Sequence, residues 1–281
     1  MSNISLVVST LGRTAQLARL LRSLEQQSYK NFEVIIVDQN ADDRLKPVLE
    51  QHMSSLDIVA TQSARGLSLG RNTGIELARG RILAFPDDDC WYPPNLLDDV
   101  VQAFAEEPKL DLLSGRTVDA ALETSLSPFH KTARPIGRRN VWRSGNSNTI
   151  FVRARSDGAL MFDENLGIGA ATIFQSGEET DLLLRLIAAG SYLRFDPIII
   201  VHHEQIDMRT DDALGRARKY APGLGRVLRL HGFGPAAFWF ALRPVVRASL
   251  AALTGDMAQA HYKLAWAKGL ATGYLAPAPR R

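Results

Sequence analysis

The chain has 281 residues, 46% of them hydrophobic and 22% charged, an ordinary soluble composition with enough length for one large core or for a domain with an appendage. The net charge of +3 is unevenly placed: residues 205–281 hold 12 Lys+Arg against 4 Asp+Glu, whereas residues 1–204 hold 21 against 26. A basic C-terminal region behind a slightly acidic body suits an anionic partner such as a membrane surface or nucleic acid. The single cysteine, Cys90, excludes an internal disulfide and fits a reducing cytoplasm.

The first hundred residues alternate between two periodicities. ISLVVS (4–9) reads as a strand, and residues 13–27 carry apolar positions at helical spacing. FEVIIVD (32–38) is a strand and 43–51 a helix. DIVAT (57–61) is a strand, 67–80 a helix closed by Gly80, and RILAFPD (81–87) a strand. Residues 95–107 are helical and LDLLSG (110–115) extended. Continuous apolar strands separated by helices predict an α/β fold with a mostly parallel, doubly wound sheet. Such sheets bind ligands at the carboxyl ends of their strands, which draws attention to Ser9–Thr10, Asp38, Gln62–Arg65 and Asp87–Asp89.

Residues 116–145 have no clear periodicity and form a long loop of the kind that is usually functional or mobile. NTIFVRA (148–154) resumes as a strand. A glycine-rich stretch from 161 feeds a helix over about 178–189, and YLRF (192–195) and IIIVHH (198–203) are strands. Beyond about 211 the chain is helical and basic. No segment offers the ~18 uninterrupted apolar residues of a spanning helix. Residues 236–253 come nearest, but Arg243, Pro244 and Arg247 interrupt them. The N-terminus has no basic n-region and too short an apolar run for a signal peptide.

Four clusters carry chemistry. Asp87, Asp88 and Asp89 follow an apolar strand, where a pair of carboxylates can hold one hard divalent ion and leave positions for phosphate oxygens; a solvated turn capping the next helix is the competing reading. Glu178, Glu179 and Asp181 occupy the first turn of a helix. Capping accounts for one or two of them, and the dipole keeps a third ionised as a general base requires. His202 and His203 end a strand, where one of them is as suited to ligating a metal as to a structural role. RGLSLGRNTG (65–74) places Arg65 and Arg71 among glycines at a helix entrance, a possible phosphate-cradling turn that matches neither a dinucleotide fingerprint nor a P-loop.

The order VVSTLGR, EVIIVD, GRNTGIELARGRILAFPDDD, LGIG, GEETDLLLRL and a strand ending in HH resembles family 2 glycosyltransferases of the GT-A fold over roughly residues 3–204. More narrowly, it resembles bacterial enzymes that extend exopolysaccharide or cell-envelope oligosaccharides. The resemblance implies a GT-A catalytic domain over 1–204, a nucleotide-diphosphate sugar donor, a Mn2+ or Mg2+ ion and inversion at the anomeric carbon. UDP-sugars are favoured over GDP-sugars. The same likeness places Thr10 and Arg13 beside the nucleotide, Asp38 at the base, and Arg71 beside the base and ribose; Arg65, from the same glycine-containing turn, is a further nucleotide-sugar candidate. Asp87 and Asp89 are the outer positions of the D-x-D motif, Asp89 the direct metal ligand and Asp87 nearer the ribose. Asp88 is the tolerant middle position of this nucleotide-binding segment. His202 and His203 join Asp87 and Asp89 as candidate metal ligands. Glu179 stands at the general-base position, where the family usually has Asp, with Glu178 and Asp181 as neighbouring alternatives. DQN replaces the common D-D-x-S after the second strand.

Residues 205–281 form the second predicted region, with Phe233, Phe238, Trp239 and Phe240 beside Arg243 and Arg247. Either a membrane-interface segment within 232–281 or a hairpin packed on protein fits this pattern. A saccharide acceptor, lipid-linked, is expected at the inner face of the membrane, with no nucleic-acid partner. A sugar nucleotidyltransferase and a non-catalytic nucleotide-sugar-binding subunit are the competing functions. The first lacks a glycine-rich, basic signature after the opening strand.

Overall fold

The computed structural model describes residues 3–126, 128–205 and 211–277, with the side chains of 211 and 212 excepted. Two compact units emerge. The first takes residues from 1–65, 69–161 and 182–206, and the second from 66–68, 162–181 and 207–281. The boundary expected after residue 204 is therefore not a single cut: the segment with Glu178, Glu179 and Asp181 groups with the C-terminal region.

The first unit is built on β1 (Ile4–Thr10), α1 (Ala15–Glu25), β2 (Phe32–Asp38), α2 (Lys46–His52), β3 (Ile58–Gln62), α3 (Leu67–Leu77), β4 (Ile82–Ala84), β5 (Cys90–Trp91), α4 (Leu96–Glu106), β6 (Leu112–Val118), β7 (Arg134–Pro135), β8 (Ile150–Arg153), α5 (Glu178–Ala188) and β9 (Leu193–His203). Two helices, α3 and α5, begin on residues of the second unit. The sheet order is β3-β2-β1-β4-β8-β6-β9-β5, and β7 pairs with β9. The parallel expectation holds for β3-β2-β1-β4 and for β6-β9, whereas β8 runs antiparallel to both neighbours. Between β6 and β8 no crossover helix intervenes, so the chain returns without the connection that a parallel pair needs.

The core follows from sequence periodicity. Ile4, Leu6 and Val8 of β1 alternate with residues facing the other side, and they meet Leu17, Leu20, Leu21 and Leu24, one stripe of α1. On the same face Val100 and Phe104 of α4 and Phe151 of β8 complete the cluster. Helix α3 lies unusually close to β1. A Cβ on Gly70 would meet the Ser9 hydroxyl, and one on Gly74 would overlap Val7. The glycines of GRNTG (70–74) thus serve helix–strand packing, inside a helix, rather than a phosphate-cradling loop. The two strands expected at 192–195 and 198–203 are one continuous β9, with a register shift opposite Ser114–Arg116. The 116–145 segment holds more order than its composition suggests, including β7 and a 3-10 turn at Val141–Arg143.

The second unit adds α6 (Asp211–Leu230), α7 (Gly234–Leu253) and α8 (Met257–Leu275). Helix α8 meets α6 at backbone distance: a Cβ on Gly225 would overlap the Leu270 carbonyl, and one on Gly273 the Pro222 carbonyl. Helix α7 buries only Ala237, Pro244 and Ala248, and leaves Phe238 (64%), Trp239 (60%) and Leu253 (85%) in the open. Although interrupted by Arg243, Pro244 and Arg247, it is the one helix among the described residues long and apolar enough to cross a membrane by length and composition.

Candidate active site

Strand register sets the site. Thr10 pairs with Asp38 and Asp38 with Gln62, so the carboxyl ends of β1, β2 and β3 are level. Beyond β4 the chain turns through Asp87–Asp89, closed by the Cys90 N–H donating to the Asp87 carbonyl at 3.1 Å. It then enters β5, where Cys90 pairs with His203 and Trp91 with His202. That antiparallel pairing carries His203, far away in sequence, to the aspartates.

Each aspartate has a different neighbour. Arg71, buried on α3, donates from Nη2 to Asp87 Oδ1 at 2.9 Å and to Ser147 Oγ at 2.8 Å. Arg13 donates to Asp88 Oδ1 at 2.7 Å and lies 2.6 Å from Asp89 Oδ2. His203 Nε2 stands 3.3 Å from Asp89 Oδ1, while its Nδ1 is 2.7 Å from the Glu204 carbonyl. A carbonyl only accepts, so Nδ1 carries a proton; the protonated ring donates from Nε2 to Asp89, and the neutral ring leaves the Nε2 lone pair for a cation.

The charges are unevenly balanced. Asp87 keeps 28% of its side-chain surface open but is otherwise walled by protein. Desolvation pushes its pKa up to about 6, against the pull of Arg71 and with the push of Asp89 and Asp88. Burial also raises Asp88, although Thr10 and Arg13 work against it. Burial would raise Asp89 too, but the His203 hydrogen bond and the charges of His203 and Arg13 bring it below the ordinary value. For His203, burial opposes the proton, and Asp89, the Glu204 carbonyl and Asp87 outweigh it and raise the pKa.

Asp87, Asp89 and His203 offer hard carboxylate oxygens and an imidazole nitrogen, donors that suit Mn2+ or Mg2+. Burial, more than the neighbouring aspartates, keeps the Asp87 pKa raised despite Arg71. Among the described residues no three His, Cys, Asp or Glu side chains are grouped so that they could hold a metal ion by themselves.

Other expected residues lie elsewhere. His202 projects to the opposite face of β9 from His203, stacks on Trp91 with ring centroids 5.2 Å apart, and places Nδ1 3.2 Å from the Asp119 carbonyl. It is not gathered with the aspartates. Asp88, expected to be the tolerant middle position, is buried and accepts a hydrogen bond from Arg13. Asp38 accepts from the backbone and side chain of Asn40 at 2.8 and 2.7 Å. Arg65 is exposed after β3. In the second unit, Glu178 is buried with its carboxylate against Gly167, Asp181 is buried 2.8 Å from His231 Nε2, and Glu179 is the most open of the three acids.

Sequence reasoning missed Arg19, Trp91 and Ser147. The Arg19 guanidinium lies 4.1 Å above the Trp91 ring, donates to the Asp89 carbonyl at 3.0 Å and pairs with Glu204 at 2.5 Å. The only advance signal for Trp91 is its place directly behind the acidic run. Nothing local marks Arg19 or Ser147.

A mixed sheet with an acidic turn at the carboxyl end of its parallel strands, flanked by helices, is the architecture of a GT-A glycosyltransferase. The chain belongs to glycosyl transferase family 2, whose model matches residues 5–162. It is 29% identical over 195 residues to an uncharacterised glycosyltransferase of Haemophilus influenzae, a match covering 67% of this chain and 63% of that protein. It is 29% identical over 95 residues to WfgD of Escherichia coli, a UDP-Glc:alpha-D-GlcNAc-diphosphoundecaprenol beta-1,3-glucosyltransferase, covering 33% of this chain and 38% of the other. Among solved structures, the mannosyltransferase PcManGT of Pyrobaculum calidifontis, in complex with GDP-Man and Mn2+, superposes with a TM-score of 0.61 at 15% identity over 97% of this chain and 87% of that one. That last likeness concerns the fold. The matches span less than two thirds of the length of these curated relatives.

Proposed function

We propose that the protein transfers a sugar from a nucleoside-diphosphate sugar to a hydroxyl of a saccharide acceptor carried on a lipid diphosphate, with inversion at the anomeric carbon. The observation that carries this reading is the gathering of Asp87, Asp89, His203, Arg13 and Arg71 at the carboxyl ends of β1 and β4 and the end of β9. Family membership supports the reaction class, and the names of two similar proteins support the substrates. WfgD uses UDP-Glc and a diphosphoundecaprenol-linked acceptor, and PcManGT holds GDP-Man with Mn2+.

Asp89, Asp87 and His203 would hold a divalent ion, Mn2+ or Mg2+, which when bound neutralises charge on the departing diphosphate. These protein groups would supply only part of its shell, leaving room for phosphate oxygens and water. Arg71 fixes the Asp87 carboxylate beside the ribose through its second contact to Ser147. Arg13, partly exposed, adds positive charge for the diphosphate. Thr10, Asp38 and Arg65 border the nucleotide. Glu179 removes the proton from the acceptor hydroxyl. The acceptor oxygen bonds to the anomeric carbon as the bond from that carbon to the diphosphate oxygen breaks, and the nucleoside diphosphate leaves with the electron pair. The exposed apolar side chains of α7, flanked by Arg243 and Arg247, rest at an anionic membrane surface where a lipid-linked acceptor resides.

The test is direct. The purified protein is incubated with UDP- and GDP-sugars, a polyprenyl-diphosphate saccharide and either Mn2+, Mg2+ or EDTA. One nucleotide class is consumed, the product has the opposite anomeric configuration, and EDTA stops the reaction. A protein that neither binds nor turns over any sugar nucleotide with either metal overturns the proposal.

A further inference from the structure

The acids of the α5 first turn lie beyond residue 162, where the family match ends, and they group with the C-terminal helices. One stripe of α6 accounts for this. Ser176 Oγ donates to the Tyr220 carbonyl at 2.7 Å. One helical turn on, Gly223 lets the helix press against the Ser176 carbonyl, since a Cβ there would overlap it. Gly177, at φ +90°, faces Val227, and the Arg226 guanidinium lies 5.4 Å from the centre of the Phe174 ring. At the end of the stripe, His231 Nε2 is 2.8 Å from Asp181 Oδ1, with both side chains at 10% exposure or less.

An ionised carboxylate only accepts, so Nε2 donates. Both ends of the pair are electrostatically favoured. Asp181 sits at the positive N-terminus of α5, while His231 follows the C-terminus of α6, where His231 N–H donates to Val227 O at 3.1 Å. Residues 220, 223, 227 and 231 recur at the spacing of one helix face, which a loose appendage would not need.

We propose that α6 is a splint for the base-bearing turn, and that His231 is a positioning residue that orients Glu179 by holding Asp181. This rests on the reading of Glu179 as the general base. It also gives Asp181 a role other than proton transfer, and it makes the C-terminal region part of the catalytic apparatus.

The experiment compares the full-length wild type with His231→Ala, His231→Gln, Gly223→Ala and Glu179→Gln. It measures kcat, nucleotide affinity with Mn2+, melting temperature and amide exchange over 163–181. Misplacing a catalytic group slightly costs on the order of 10- to 100-fold in rate, so His231→Ala lowers kcat by about that factor with nucleotide affinity unchanged. Amide exchange over 163–181 quickens, and Gln, which keeps an N–H donor, restores most of kcat. Gly223→Ala shifts the same segment without touching the His231–Asp181 hydrogen bond and lowers kcat with His231 intact. If His231→Ala and Gly223→Ala retain kcat within about twofold and exchange over 163–181 is unchanged, the splint is refuted. If Glu179→Gln transfers sugar normally, the base assignment fails instead, and the exchange data still decide whether α6 holds the segment.

Discussion

Two carboxylate sites in the sheet unit lie at opposite ends of its parallel strands and reach opposite electrostatic states. Near the strand beginnings, Glu33 of β2 is wholly buried yet fully partnered. Ser5 Oγ donates to it at 2.6 Å, the Arg79 backbone N–H at 2.8 Å and Arg79 Nε at 2.7 Å, while the Gly80 N–H donates to the same Ser5 hydroxyl at 2.8 Å. Burial alone would raise its pKa, but these donors outweigh it and the pKa falls. At the other end, Asp87 pairs with Arg71, but burial, helped by the two aspartates beside it, wins and its pKa rises to about 6. Glu33 is an interaction completed within the protein; the acidic turn is the site at which the proposed function places a cation and a diphosphate.

The comparison breaks most visibly at Asp89. Asp89→Ala is expected to lower sugar transfer by about 100-fold or more, the scale of losing a principal electrostatic group, and to leave the melting temperature nearly unchanged. A large drop in melting temperature with residual activity intact would make Asp89 structural, like Glu33. Glu33→Ala should do the reverse. Removing one partner of a buried charged network costs about 3 kcal/mol, or roughly 6–12 °C in melting temperature, while kcat per folded molecule stays put. Thermal unfolding alongside turnover of the soluble fraction checks both.

The two sites also answer pH in opposite senses. Because Glu33 has a depressed pKa, its stabilisation is present above the ordinary glutamate value and disappears as pH falls through the folded one. The gap between wild type and Glu33→Gln therefore closes in acid. Asp87 is raised, so its ionisation costs stability, and that cost grows between the ordinary value of 3.8 and about 6. In EDTA, Asp87→Asn should be slightly more stable than wild type at neutral pH, with the advantage gone near the lower value. Melting curves over an acid-to-neutral series measure both, and parallel pH trends would refute the contrast.

Much of this was legible in the residues. The apolar runs of β1 and β2, the Leu17–Leu20–Leu21–Leu24 stripe and the acidic turn after β4 are local patterns with a local cause. What escaped reading depends on pairing across the chain. Whether His202 or His203 reaches the aspartates is settled by the β5–β9 register, and a shift of one residue would exchange their faces. The glycines of GRNTG read as a phosphate turn because composition cannot distinguish a tight loop from a helix pressed on a strand. Ser147 joins Arg71 from 76 positions away, and His231 reaches Asp181 across 50, separations that carry no sequence signal.

The central claim is that the turn at Asp87–Asp89 with His203 is a joint site for a divalent cation and a nucleoside diphosphate. Calorimetric titration of UDP and GDP into the wild type and Asp89→Ala, each with Mn2+ and with EDTA, tests it most directly. The account predicts binding of one nucleotide by the wild type in Mn2+, and at least about tenfold weaker binding in EDTA or in Asp89→Ala. Equal affinity under all four conditions would contradict it.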